Sequence, residues 1–223
     1  AGSFQAMGQH GFLLSGTVYT QIDHPGTSQG TTIRGLNNWG DFVGEYDDAS
    51  GFQHGFANVG GTYQTVDVPG ATANSVRAIN DLGRLAGYYV DGAGAFHGFT
   101  SDDGVVFTTI DHPGAVSTLV GGIDDAGVLV GVYLTTPGSP ETVPARGFLW
   151  DAGSFEAFDI AGATSTIPLA INAYGEIAGE TVDASGIHRG FVATPLPEPT
   201  SPGALGASLL WLAALRRFRR SVD

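Results

Sequence analysis

Short runs in which apolar and polar positions alternate fill the first 195 residues, and each run is bounded by Gly, Asn or Asp. "HGFLL", "TYQTV", "VVFTTI" and "VLVGVY" are rich in aromatic and β-branched residues, the pattern of strands on a half-buried sheet. "NNWG", "NDLG", "DDAG" and "NAYG" punctuate them. Asn or Asp close ahead of Gly caps a tight turn and accepts positive φ. The prediction is an all-β domain over residues 1–194.

The runs recur in step. Gly-Phe places Phe12, Phe56, Phe99, Phe148 and Phe191 at steps of 44, 43, 49 and 43. Tyr19, Tyr63, Phe107 and Phe155 form a second column, each followed four residues on by an acid: Asp23, Asp67, Asp111 and Asp159. Leu36, Ile79, Ile123 and Ile171 form a third, each followed by Asn or Asp. A glycine pair four apart completes the unit: Gly40 and Gly44, Gly83 and Gly87, Gly127 and Gly131, Gly175 and Gly179. One unit therefore predicts four strands joined as a meander, with a longer "DHPG"-type connection to the next. A lone meander leaves its apolar faces and edges open; about 40 residues with four strands is the period of a propeller blade. The Phe column is the expected inter-blade core.

Three complete units span about 33–67, 76–111 and 120–159. The stretch His10 to Asp23 supplies the last two strands of a unit, and the unit from about 168 supplies the first three. The simplest account is a ring of about four four-stranded blades in which the N-terminal strands complete the final blade. Five blades, or an open repeat array, are the alternatives. The third unit carries an insertion, Thr135 to Ala145, on the end that also holds the inter-blade connections, a common location for binding loops.

Composition narrows the function. The chain has no cysteine, so no disulfide or thiolate chemistry, and all nine basic residues are arginine. Residues 1–195 hold 20 acids against five arginines. That excludes the basic face a nucleic-acid partner needs and suits a soluble surface protein. The chain begins at Ala1, as after removal of a signal peptide or at the edge of a fragment.

After Thr194 the character changes. Residues 195–202, "PLPEPTSP", are a Pro-rich linker; Gly203 to Leu215 are 13 uncharged, mostly apolar residues; "RRFRR" follows. Thirteen helical residues reach about 20 Å, short of a hydrocarbon core of about 30 Å. The expectation for 203–220 is an apolar C-terminal helix and an Arg cluster. Pro197-Glu198-Pro199, the apolar segment and the cluster Arg216, Arg217, Arg219 and Arg220 together resemble the PEP-CTERM sorting signal of Gram-negative bacteria. The resemblance implies export, recognition by an exosortase-type membrane enzyme, transient or lasting membrane attachment through the C-terminus, and an exopolysaccharide or biofilm setting. The "GIN-x-x-G-x-x-x-G" and "HGF" signatures over residues 10–193 resemble the HAF family of extracellular repeats, which brings no catalytic residues to transfer.

Candidate chemistry is sparse. Gly26-Thr27-Ser28-Gln29-Gly30 matches G-x-S-x-G but falls in a connection with no helix behind it, where a nucleophile elbow needs one. His10, His54 and His97 precede Gly-Phe and give way to Arg146 and Arg189, a polar column rather than a metal ring. The candidate metal ligands are the acids of the "DDASG"-type turns, Asp47, Asp48, Asp91 and Asp183, whose oxygens suit Ca2+; turn capping is their competing role. No cofactor and no catalytic residue are expected. The chain is thus expected to be an exported, non-catalytic surface or matrix repeat protein that displays or binds, with the acidic loop face as its contact and polysaccharide as a candidate partner. A secreted propeller lectin or polysaccharide-acting enzyme is the alternative, and would need one asymmetric polar cluster in a pocket.

Overall fold

The computed structural model describes residues 1–5, 8–27, 29–195 and 218–221. Its regular structure is strand throughout. β1 (Gly2–Gln5), β2 (Gln9–Ser15) and β3 (Val18–Ile22) come first. Four groups of four follow: β4 (Gly30–Leu36), β5 (Phe42–Asp47), β6 (Gln53–Val59) and β7 (Thr62–Val66); β8 (Ala73–Ile79), β9 (Leu85–Val90), β10 (Phe96–Ser101) and β11 (Thr108–Ile110); β12 (Ser117–Ile123), β13 (Leu129–Leu134), β14 (Arg146–Asp151) and β15 (Ser154–Ala157); β16 (Ser165–Ile171), β17 (Ile177–Val182), β18 (His188–Pro195) and β19 (Phe218–Ser221). Each group is an antiparallel meander with its strands in sequence order.

The glycine pair explains why each module folds alike. Gly40, Gly83, Gly127 and Gly175 close the turn after the first strand with φ between 74° and 86°, which side-chain-bearing residues resist. Gly44, Gly87, Gly131 and Gly179 lie in the second strand, each opposite the Phe of Gly-Phe. A Cβ there would stand 1.9–2.3 Å from a carbonyl oxygen of the first strand, and within about 3.0 Å of the ring of Phe56, Phe148 or Phe191 in three of the four. The ring occupies the space a side chain would take.

The same register identifies the N-terminal strands. β1 pairs Gly2 with Phe12, as Gly44 pairs with Phe56. β1, β2 and β3 are therefore the second, third and fourth strands of a module, where the sequence predicts only the last two. They do not complete the final sheet. β2 joins β4 through a parallel bridge between Gln9 and Gly30, and β18 is paired by β19 instead. The four-bladed ring closed by N-terminal strands is thus corrected to five successive modules, one for each Gly-Phe, the first without an innermost strand among the described residues. The predicted helix over 203–215 lies outside the described residues; Arg219 and Arg220 lie in β19.

The modules are propeller-like in packing. One face of each carries the Gly-Phe ring and packs on the preceding module; the other packs on the following one. Val43, Ala57 and Val66 meet Val76, Ile79, Leu85 and Phe99. Ala86 and Ile110 meet Val120, Ile123, Leu129 and Phe148. Val130, Leu149 and Phe158 meet Ile171, Ile177 and Phe191. The innermost strands β4, β8, β12 and β16 all contribute to one central cavity. Each carries a β-bulge, which leaves Arg34, Arg77, Gly121 and Leu169 without a ladder partner.

The glycine of Gly-Phe is where modules touch. A Cβ on Gly55 would meet Val76 at 3.0 Å, on Gly98 it would meet Val120 at 2.8 Å, and on Gly147 it would meet Pro168 at 3.1 Å. On Gly190 it would meet no described atom nearer than 4.0 Å. Denaturant unfolding should show Phe99→Ala costing ~3–5 kcal/mol, the usual effect of emptying a buried aromatic site. Gly98→Ala should cost ~1–3 kcal/mol through overpacking, and Gly190→Ala should be close to neutral. Equal costs for the two glycine variants would contradict the packing described.

Candidate functional site

Two sets of polar residues stand out: one repeats in every module, the other occurs once. The repeated set unites three sequence columns at the end that carries the inter-module connections. His54 Nδ1 lies 2.6 Å from Asp67 Oδ2 and its Nε2 lies 3.4 Å from Asp48 Oδ2. His97 bridges Asp111 (2.9 Å) and Asp91 (3.4 Å) in the same way. His10 pairs with Asp23 at 2.8 Å, Arg146 with Asp159 at 2.8 Å and Arg189 with Asp183 at 2.6 Å. The basic residue before Gly-Phe therefore bridges the acid that ends its module and the acid of its own turn in two modules, through His54 and His97, and pairs with one of the two acids in the others.

Three of the four candidate metal ligands, Asp48, Asp91 and Asp183, are engaged in the same bridges. Asp48 Oδ1 accepts the backbone N–H groups of Ser50 and Phe52 at 2.8 and 2.9 Å. Asp91 Oδ1 accepts those of Ala93 and Ala95, and Asp183 Oδ1 those of Ser185 and Ile187. These are turn caps whose second oxygens face His54, His97 and Arg189. Asp47 ends β5, where burial and the charges of Glu45 and Asp48 raise its pKa. Among the described residues, no group of three or more His, Asp or Glu is placed to hold a metal ion, and no helix is long and apolar enough to cross a membrane. Ser28 and residues 196–217, including Pro197, Glu198, Pro199, Arg216 and Arg217, lie outside the described residues.

The set that occurs once lines the central cavity, of about 360 Å³. Its wall is apolar where Phe96, Leu119, Val132 and Ile167 contribute, and its polar members are not carried through every module. At the bulge, successive modules present Arg34, Arg77, Gly121 and Leu169. Arg34 is committed: its Nε donates to Glu45 Oε1 at 2.7 Å, a second and shorter bond runs from Nη2 to the same oxygen, and Ser75 Oγ donates to Glu45 Oε2. Arg77 is not. Its guanidinium lies 5.7 Å from the centre of the Tyr88 ring, and among the arginines whose side chains are described it alone has no carboxylate partner. Tyr88 in turn meets Phe96 edge-on at 5.6 Å. The insertion of the fourth module contributes Ser139, Pro140 and Glu141, and Glu180 comes from β17.

The sequence missed Arg34 and Arg77. The available signal was their column, two residues before Leu36 and Ile79, where the copies disagree in charge and size. It missed also that His24 and His112 stack at 3.7 Å on Tyr46 and Tyr133 of the following module, clamping consecutive modules from the connection.

No family model matches the chain, and no curated protein matches it in sequence. Solved structures similar to it include the following two. One is YCF48 bound to D1 peptide, at 12% identity and a TM-score of 0.43, covering 82% of this chain and 56% of that one. The other is a triple arginine-to-alanine mutant of AofleA from Arthrobotrys oligospora, at 14% identity and a TM-score of 0.45, covering 82% and 60%. The chain spans little more than half the length of these two structures.

The charge bridges fix a pH dependence. For His54, burial opposes protonation, but the hydrogen bonds and charges of Asp67 and Asp48 outweigh it and raise the pKa; His97 behaves alike with Asp111 and Asp91. Groups with a raised folded pKa stabilise fully below the unfolded value, about 6.5 for His, and lose that contribution as pH rises through the folded value. Asp48, Asp91 and Asp183 are held below the usual carboxylate range, chiefly by hydrogen bonds from Ser50, Ala95 and Arg189 respectively. Their contribution is present above about pH 3.9 and lost as pH falls. Thermal melting should therefore be highest between about pH 4.5 and 6.5. The double variant His54→Gln, His97→Gln should flatten the decline on the alkaline side, and an unchanged alkaline limb would count against the bridges.

Proposed function

We propose that this chain is an exported, non-catalytic binding module of the cell surface or extracellular matrix, and that its ligand is an acidic glycan held in the central cavity. One observation carries the choice of site: the repeat symmetry is broken at the cavity wall. The repeated acids are engaged in turn caps and ion pairs, which supports moving the expected contact from the acidic loop face to the cavity. A chain of net charge −13 that leaves Arg77 without a carboxylate partner, above an aromatic ring and beside an apolar wall, offers an anion a partner it lacks elsewhere. Tyr88 and Phe96 suit the apolar face of a sugar ring, and Arg77 suits its carboxylate. The tail supports export: residues 195–223 have the three-part arrangement of a sorting signal, with an exosortase-type enzyme as partner and membrane attachment before processing.

Calorimetric titration of uronate-containing and neutral oligosaccharides into the protein tests the site. Acidic oligosaccharides should bind at least about tenfold more tightly, Arg77→Met should erase that preference, and Arg84→Met, on an exposed ion pair with Asp102, should preserve it. Binding without charge preference would remove the acidic ligand, and no binding at all would remove the cavity. Mass spectrometry of the mature C-terminus tests the tail: a product ending near Pro197–Pro199 is expected, and an intact Arg cluster on the exported protein would defeat processing.

Glu141 and Glu180 both line the cavity, which favours a second reading as a polysaccharide-cleaving enzyme using two carboxylates. Release of reducing ends that stops in Glu180→Gln would establish it in place of the first.

A further inference from the structure

One kind of contact is made four times inside this chain. Leu13 and Ile22 of the first module pack on Phe42, Tyr46, Phe56 and Tyr63 of the second, and the next three junctions repeat the arrangement. Among the described residues, two faces of this kind are left over. On the first module, Phe4, Phe12 and Tyr19 form a chain of rings with centres 6.4 and 5.6 Å apart. They sit at the positions of Tyr46, Phe56 and Tyr63 in the next module. Tyr46 is 7% and Phe56 0% exposed, whereas Phe4 is 39% exposed and Phe12 half-buried; Tyr19 is 68% exposed where Tyr63 is half-buried.

On the last module, Ala178 and Val192 hold the positions that Val43 and Ala57 hold in the second. Val43 and Ala57 are buried; Ala178 is exposed and Val192 is 50% exposed. Gly190 shows the same vacancy in its backbone. Its counterparts Gly11, Gly55, Gly98 and Gly147 each sit tightly against the first strand of the following module, at 2.8–3.1 Å for a Cβ, whereas Gly190 has no described atom nearer than 4.0 Å.

The geometry points to a second copy of this chain as the partner of both faces: the last module of one copy seats the first module of another, repeating the internal contact head to tail. The two surfaces are the two halves of an interface the chain already builds four times, so their chemistry matches without any new element. The contact is heterologous, each copy using two different patches. Each copy has a net charge of −13, so screening by added salt strengthens association.

Sedimentation velocity on the full chain is the test. The protein should show concentration-dependent dimers and larger species, increasing with salt. Tyr19→Arg and Val192→Arg, each on one exposed face, should both be monomeric alone. An equimolar mixture of the two should recover a dimer and nothing larger, because the pair retains one intact head and one intact tail. That recovery also shows that both variants are folded. A wild-type chain that stays monomeric up to about millimolar concentration, including one closed on itself, overturns the proposal. So does a single variant that still associates, or a mixture that stays monomeric.

Discussion

A phenylalanine ring lying over a glycine holds this protein together. In four of the five modules the ring of Gly-Phe takes the space above the second strand that a side chain would need, and in the first four the glycine beside the ring takes the first strand of the next module. Both contacts require the absence of a Cβ. With the ring tucked against its own sheet, each module is thin, and its two faces can be covered by neighbours of the same kind. A four-stranded meander alone buries too little to be stable; five in register make a continuous core in which Phe56, Phe99, Phe148 and Phe191 are each sealed by the module before. The rule of the array is nearest-neighbour packing, and a local error at one glycine acts at one junction.

Electrostatics follow the same rule. A chain this acidic would destabilise itself if its carboxylates were free to repel one another. Instead, Asp48, Asp91 and Asp183 each commit one oxygen to a turn and the other to His54, His97 or Arg189. The basic column survives the change from His to Arg because either provides a cation within reach of a module acid: Arg146 pairs with the acid that ends its module, Asp159, and Arg189 with its turn acid, Asp183. Repetition thus occupies the repeated charges, and what remains for recognition is where the copies differ: the bulge column and the insertion.

The division explains what was legible in the sequence. Phe56, Gly87, Asn80 and Asp111 belong to columns because backbone geometry makes the same demand in each module, so period, strand number and turn positions could be read from one chain. β1 escaped because "GSFQ" has only its Gly2 to mark it; its identity is a matter of register with Phe12. The fate of the N-terminal strands escaped because strand counting leaves open which edge an incomplete module adopts. Arg34 and Arg77 escaped because a bulge residue is defined by the pairing it lacks, and a column reading Arg, Arg, Gly, Leu has no type in common. The acids of the turns were legible as a cluster, and their caps and salt bridges were what only the backbone could supply.

The junctions show how the cavity keeps its shape. At the turn end a side-chain ladder fixes the angle between modules: Asn37 Nδ2 donates to the carbonyl of Asn80, and Asn80 Nδ2 to that of Asp124. Asp124 has no side-chain N–H to pass on, so this ladder stops before the fourth complete module. At that junction the chain holds from the other end. Ala145, where the insertion re-enters the sheet, donates its N–H to Ser165 Oγ, as Phe96 does to Ser117 one module earlier, and its carbonyl also accepts the N–H of Thr166. The segment that brings Glu141 to the cavity is therefore tied to the contact between the third and fourth complete modules. Whatever presses on that loop from the cavity presses on the angle between those modules, and a ligand there acts on the array at the one junction where the Asn ladder does not continue.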